Sequence, residues 1–287
     1  MTGDAAADAA GGGHAVVVCG VDGTREGFEA ARQAARLAGA GGHLVLVAVA
    51  GLYAALAGRW GSEAPRWRMT GESERTVDQC FDDLRARARA SLEEAARQAD
   101  GVAGRVTTRV VDGDPDERLL EAVATEGATL VVVGTHGRGR LSGAALGATT
   151  SMVIHDSPVS VLVARPPIDP TGFPARIVVG LDGSEGSRAA LREAVRLRTA
   201  AGGRLVAVTA SPVVDAADDL AGVEGPVEVV ASADRPVEAL VEAAQTADLL
   251  VVGSRGLHGA RALGSVSERV AHRAPSSVLV VRPAEAG

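Results

Sequence analysis

The chain has 287 residues, enough for two ordinary domains, and is 46% hydrophobic but only 2% aromatic. Its core must therefore be assembled from Val, Leu, Ile and Ala, which suits parallel strands buried on both faces beneath Ala-rich helices. The net charge of −7 argues against general attraction to nucleic acid or anionic lipid. Every Lys/Arg-type cation is arginine, so a P-loop lysine, a Schiff-base lysine and a lysine nucleophile are all excluded.

Residues 1–13 are Ala/Gly-rich and read as a disordered tail. They carry Asp4 and Asp8 and no basic segment, so a secretory signal is not expected and a cytoplasmic location is. An apolar run at 15–21 predicts the first strand, and Thr24 is placed to cap a helix that stops at Gly39-Ala40-Gly41-Gly42. A second strand is expected at 43–49. The apolar stretch from Leu44 to Gly58 is too short and too Gly-broken to span a membrane. Tyr53, Trp60 and Trp67 fall in an irregular segment and read as a small satellite core. A long charged helix near 73–99 follows, on which Arg85, Arg87 and Arg89 read as a solvated face. A strand at 105–111 leads to a helix opened by Gly113-Asp114-Pro115, with Pro in its first turn. Strands at 129–134 and 159–165 flank a helix starting near Gly147. Cys19 reads as a small core residue, Cys80 lies in the long helix, and no metal-ligand spacing is present.

The chain then repeats itself. Val16-Val17-Val18-Cys19-Gly20-Val21-Asp22-Gly23-Thr24 parallels Ile177-Val178-Val179-Gly180-Leu181-Asp182-Gly183-Ser184. Leu130 to Gly137 parallels Leu249 to Gly256, and Pro158 to Pro166 parallels Pro275 to Pro283. Asp22 and Asp182 are 160 residues apart but Gly134 and Gly253 only 119, so the second copy lacks 41 residues in its middle. It keeps strands near 176–181, 204–210, 227–232, 248–253 and 277–282 and loses the long helix. The sheet face so exposed is expected to be covered by repeat one, another subunit or a partner. Domains are placed at 14–166 and 174–283, with a Pro-rich linker at 167–173.

Parallel α/β sheets bind ligands beyond the carboxyl ends of their strands, where Gly134, Gly137 and Gly147 fall. Glycine lets backbone N–H groups approach a phosphate, and a helix starting at Gly147 adds its positive end. Arg138 and Arg140 can neutralise phosphate charge. Gly134-x2-Gly137-x9-Gly147, Val21-Asp22-Gly23-Thr24 and the strand from Pro158 to Arg165 together resemble the universal stress protein family. The likeness runs over both repeats. It implies two tandem Rossmann-like domains of the adenine nucleotide alpha hydrolase type, each a five-stranded parallel sheet with flanking helices, the second shortened. It also implies pairing of the two copies across their last strands as a pseudo-dimer, with a homodimer as a further assembly.

What the resemblance implies for a site is bound ATP, with Mg²⁺ or Mn²⁺ accompanying it. Asp22 would lie near ribose and adenine and Val49 beside the base. Val21, Gly23, Thr24, Val133, Gly134, Thr135, His136, Gly137, Arg138, Gly147, Ala148 and Thr149 would surround the nucleotide, with Thr150 a hydroxyl donor. Ala148 departs from the family's usual serine, and one lost hydrogen bond weakens binding by roughly 0.5–1.5 kcal/mol. In repeat two the counterparts are Asp182, Gly253, Gly256, Gly264, Ser265 and Ser267. There seven residues rather than nine separate Gly256 from Gly264, a difference of up to about 7 Å of chain. That site is expected to be empty. No nucleophile or general base can be assigned, so a stress-response regulator is expected rather than an enzyme. The alternatives are an interaction module of the same fold that binds no nucleotide, and a slow ATPase.

Overall fold

The computed structural model describes residues 13–51, 71–137, 146–169, 172–210, 216–254 and 264–283, without the side chains of 71–78, 80, 216 and 217. Residues 1–12 of the tail expected at 1–13, the aromatic segment and Cys80's side chain lie outside the described residues. In repeat one the order is β1 (Val16–Gly20), α1 (Arg25–Ala38), β2 (His43–Ala50), α2 (Gly71–Ala99), β3 (Arg105–Asp112), α3 (Pro115–Glu126), β4 (Leu130–Gly134), α4 (Ala148–Asp156) and β5 (Ser160–Ala164). In repeat two it is β6 (Arg176–Leu181), α5 (Glu185–Ala201), β7 (Arg204–Thr209), α6 (Ala216–Leu220), β8 (Val227–Ala231), α7 (Pro236–Ala244), β9 (Leu249–Gly253), α8 (Ser265–Arg273) and β10 (Ser277–Val281).

The ten strands form one sheet in the order β3-β2-β1-β4-β5-β10-β9-β6-β7-β8. Each repeat supplies five parallel strands, and the only antiparallel pairing among the described strands joins β5 to β10. The central strands are β-branched runs buried on both faces. Alternate residues serve two cores, Val17, Cys19, Leu44 and Leu46 facing one side and Val18, Val45 and Val47 the other. On the first side lie α1, α2 and α5; on the second, α3, α4, α7 and α8. Ala30, Ala31, Ala34, Ala35 and Ala38 make the buried stripe of α1, small enough for its backbone to lie close to the strands. Thr24 Oγ1 accepts from Gly27 N at 3.1 Å and Ser184 Oγ from Ser187 N at 3.2 Å, so both first helices start on a side-chain cap. Burial pushes the Cys19 thiol well above its ordinary value, in keeping with a core role.

The join between repeats is self-complementary. Leu162 lies opposite Leu279, its own equivalent, with Val161 opposite Val280 and Val163 opposite Val278. Ser277 Oγ accepts from Arg165 N at 2.9 Å and Ser160 Oγ from Arg282 N at 3.1 Å. Arg165 reaches Ala271 O at the end of α8 (2.6 Å), while Arg282 reaches Ile154 O at the end of α4 (2.9 Å). Each repeat thus supplies a cation to the negative end of the other's last helix. Burial pulls the Arg165 guanidinium down to about 10, which leaves it charged at neutral pH. Gln33 joins the seam from α1, its Nε2 donating to Arg165 O at 2.6 Å while Ser277 Oγ lies 2.8 Å from its Oε1.

The truncated repeat is covered differently from expectation. Leu205 and Ala207 of β7 are buried by their own repeat, under α5 and the short segment that replaces the long helix. Leu220 and Val223 pack there, Arg188 pairs with Asp219 at 2.8 Å, and Arg198 donates to Pro226 O at 3.0 Å. Repeat one is not the cover, because β8 is the strand farthest from the β5–β10 join. On that edge, the exposed large apolar side chains among the described residues are Val229 and Val230. In the linker, Phe173 is buried in the core, and Asp248 accepts from Ile168 N (3.1 Å) and Arg176 N (2.9 Å).

Two predictions test the seam. Ser277→Ala leaves Gln33 Oε1 and the Arg165 amide short of a buried partner, and is expected to lower unfolding stability by about 1–3 kcal/mol in urea titrations. A second contact joins α5 to the start of β1, with Glu193 Oε1 3.0 Å from His14 Nε2. Burial raises the Glu193 carboxyl, but hydrogen bonds from Arg196 and His14 outweigh it and hold the group at about 2 against an ordinary 4.5. This stabilisation is complete above the ordinary value and is lost as pH falls from about 4.5 through about 2. Glu193→Gln is therefore expected to flatten the stability loss in that window, measured as melting temperature against pH.

Candidate functional site

In repeat one the chain leaves β1 for β2 on one side and returns to β4 on the other, so a cleft opens between the carboxyl ends of β1 and β4. Asp22 stands at its floor. Its Oδ1 accepts from Thr24 N (3.0 Å) and Thr24 Oγ1 (2.6 Å), a closed turn in which Gly23 takes φ +78°. Gly27 gives the carboxylate room, because a Cβ there would lie 2.5 Å from Asp22 Oδ1. The sequence reading missed Gly27; its only signal is glycine where repeat two has Ser187.

The second wall is the glycine loop. A Cβ on Gly134 would come within 3.0 Å of the Glu26 backbone, so the end of β4 touches the first turn of α1. A Cβ on Gly137 would meet Asp22 Oδ2 at 3.1 Å, which brings the two motifs together across the cleft. Gly147 N donates to Thr135 O at 2.8 Å and closes the loop. Gly147 is the N-cap of α4 and provides no side-chain cap, so the first amides of that helix point outward. Ala148 is exposed and Thr149 half-buried. His136 is half-buried beside Gly137, Thr135 and Val133 are buried, and Val49 is half-buried against the second core. Val21 is fixed through its amide to Val47 O at 2.8 Å. Arg138 and Arg140 lie outside the described residues.

Thr150 has a different role from the one expected. It is buried, and its hydroxyl donates to Gly134 O at 2.7 Å, so the proton meant for a ligand ties α4 to the end of β4. Ser267 does the same to Gly253 O at 2.7 Å in repeat two. That leaves Thr149 as the hydroxyl of the exposed first turn, where repeat two has Val266 and an exposed Ser265.

Repeat two keeps the turn, with Ser184 N donating to Asp182 Oδ1 at 3.1 Å, and is packed more tightly beside it. A Cβ on Gly253 would lie 2.3 Å from the Gly186 backbone, and one on Gly186 2.9 Å from Ser254 O. The ends of β9 and α5 therefore meet backbone to backbone, as the ends of β4 and α1 do at Glu26, but more closely. Gly264 caps α8 as Gly147 caps α4, and Gly256 lies outside the described residues. Among the described residues, no group of three or more His, Cys, Asp and Glu side chains could hold a metal ion. No described helix is long and apolar enough to cross a membrane.

Comparison with known proteins agrees with this architecture. The profile described as Universal stress protein family matches residues 15–165, 175–224 and 213–282. A universal stress protein of Mycobacterium tuberculosis (strain H37Rv) is 32% identical over 205 residues, 62% of this chain and 69% of its own. Another from the same strain is 30% identical over 262 residues, 78% of this chain and 80% of its own. Among solved structures, a universal stress protein from Archaeoglobus fulgidus aligns with TM-score 0.68 at 22% identity, covering 95% of this chain and 97% of that one, a likeness of fold.

The Thr150–Gly134 tie gives a direct test. Thr150→Val and Ser267→Ala are each expected to lower stability by about 1 kcal/mol, with the double variant additive within about 0.5 kcal/mol, read from urea midpoints.

Proposed function

The chain belongs to the universal stress protein family, and from that premise we propose that it is a regulatory stress-response protein holding one ATP, in repeat one. The observation carrying this reading is the convergence of Asp22 with Gly137 and the uncapped start of α4 at the β1–β4 switch point. The residues fit such a ligand. Gly134, Gly137 and Gly147 leave a wall without side chains, and the amides of Ala148 and Thr149 would meet phosphate oxygens. Asp22 would accept from ribose hydroxyls, and Val49 would pack on the base. Arg138 would supply countercharge. A divalent cation would enter on the phosphates, since no described cluster of side chains could hold one unaided. Bound in this way, ATP acts as a structural or signalling ligand.

The closer backbone approach of Gly253 to Gly186 than of Gly134 to Glu26, with seven rather than nine residues between Gly256 and Gly264, supports one nucleotide per chain rather than two. A second reading, an interaction module without nucleotide, is favoured by Ala148 and by the engagement of the Thr150 hydroxyl. Chromatography of nucleotide released from freshly denatured protein separates the two. About one ATP per chain is expected, and Gly137→Val, which crowds Asp22, is expected to lower ATP affinity at least about tenfold in calorimetric titrations. Absence of both released nucleotide and binding would select the interaction module, and two ATP per chain would refute the single-site assignment.

A further inference from the structure

We infer that repeat two works in cis as the holder of repeat one's nucleotide site, and that His272 is the residue through which it positions the glycine loop. The inference rests on the proposed nucleotide reading of repeat one. Helix α4, whose first turn faces the cleft, has only nine residues, and repeat two holds it at both ends. At the far end Arg282 Nη2 donates to Ile154 O (2.9 Å) and His155 O (3.2 Å). At the near end the amide of Leu146, the residue before the Gly147 cap, donates to His272 Nδ1 at 3.3 Å. Leu146 is buried and His272 half-buried, so the bond between them is partly shielded from water. The next amide along, that of Gly147, closes the loop onto Thr135.

The arginine arrangement is reciprocal, since Arg165 does for α8 what Arg282 does for α4. The two histidines differ in their described neighbours, and the counterpart of Leu146 in repeat two, Leu263, lies outside the described residues. At the equivalent place in repeat one, His155 is exposed and its Nδ1 lies 2.7 Å from Asp156 Oδ1, the geometry of a donor to carboxylate. In repeat two the following residue is Arg273, which turns to Glu238 at 3.1 Å. His272 is thereby left without an adjacent acid, and its Nδ1 accepts, with the proton on Nε2. Repeat two thus supplies the acceptor that fixes the edge of repeat one's site. Phosphate-binding amides act only when held within a fraction of an ångström, so a movable Leu146–Gly147 edge would reach the ligand as lost affinity.

The test uses the full chain and two variants. His272→Ala removes the acceptor, whereas His272→Asn restores an amide oxygen near the position of Nδ1. Without nucleotide, His272→Ala is expected to speed hydrogen exchange of the Leu146 amide about fivefold, and His272→Asn to stay within about twofold of wild type. In ATP titrations His272→Ala is expected to weaken binding about fivefold and His272→Asn to recover most of it. Leu146 exchange or ATP affinity unmoved by His272→Ala, or His272→Asn as impaired as His272→Ala, overturns the inference. If the wild-type chain binds no ATP, the nucleotide reading falls by itself, and the exchange measurement still decides whether His272 holds the loop.

Discussion

Leu162 of β5 lies opposite its own repeat equivalent, Leu279 of β10, and everything else in the molecule is arranged about that pairing. An antiparallel join centred on equivalent residues is what an isologous dimer makes, achieved here inside one polypeptide. It buries the last strand of each repeat, which would otherwise be an apolar edge. It also delivers Arg165 and Arg282 to the carbonyl ends of the opposite helices. Buried guanidinium groups are tolerable there because carbonyl oxygens and helix dipoles receive them. The two α/β units share one sheet, with α4 and α8 each held by the other's strand.

Within that symmetric frame the repeats have diverged by small substitutions with local physical consequences. Gly27 admits the Asp22 carboxylate, and Ser187 stands in its place in repeat two. Glu26 becomes Gly186, and the first turn of α5 comes backbone to backbone against the end of β9. Thr129 becomes Asp248, a buried carboxylate that accepts two amides and anchors the connection between repeats. Gln33 becomes Glu193, and a neutral seam residue becomes one half of a contact with His14. The different packing of the two repeats follows from which residues at these few positions carry side chains.

Much of the fold was legible because the strands are uninterrupted apolar runs and the helix boundaries carry Thr24, Ser184, Pro115 and glycine stops. The glycine spacing likewise placed Gly134 at the carboxyl end of β4 and Gly147 at the start of α4, where the structure has them. The Thr150 hydroxyl was misread because a serine or threonine in a first helical turn can donate outward to a ligand or backward to a carbonyl. Only the position of Gly134 O decides which. The covering of repeat two was misread for a similar reason. A missing long helix suggested a large bare face, but Leu220, Val223 and two arginine contacts close most of it from a segment with weak helical pattern.

The sequence by itself determined the repeat, the order and length of its strands, the family and the glycine frame, since these depend on periodicity, turn chemistry and spacing along the chain. The tertiary structure alone decided the residues whose partners are distant in sequence. Leu162 finds Leu279, Asp22 meets Gly137, and Leu146 donates to His272, each across a separation that carries no local signal. Hydrogen bonds and steric approach act over about 3 Å of space whatever the distance along the chain, and only the folded sheet brings those atoms within that range.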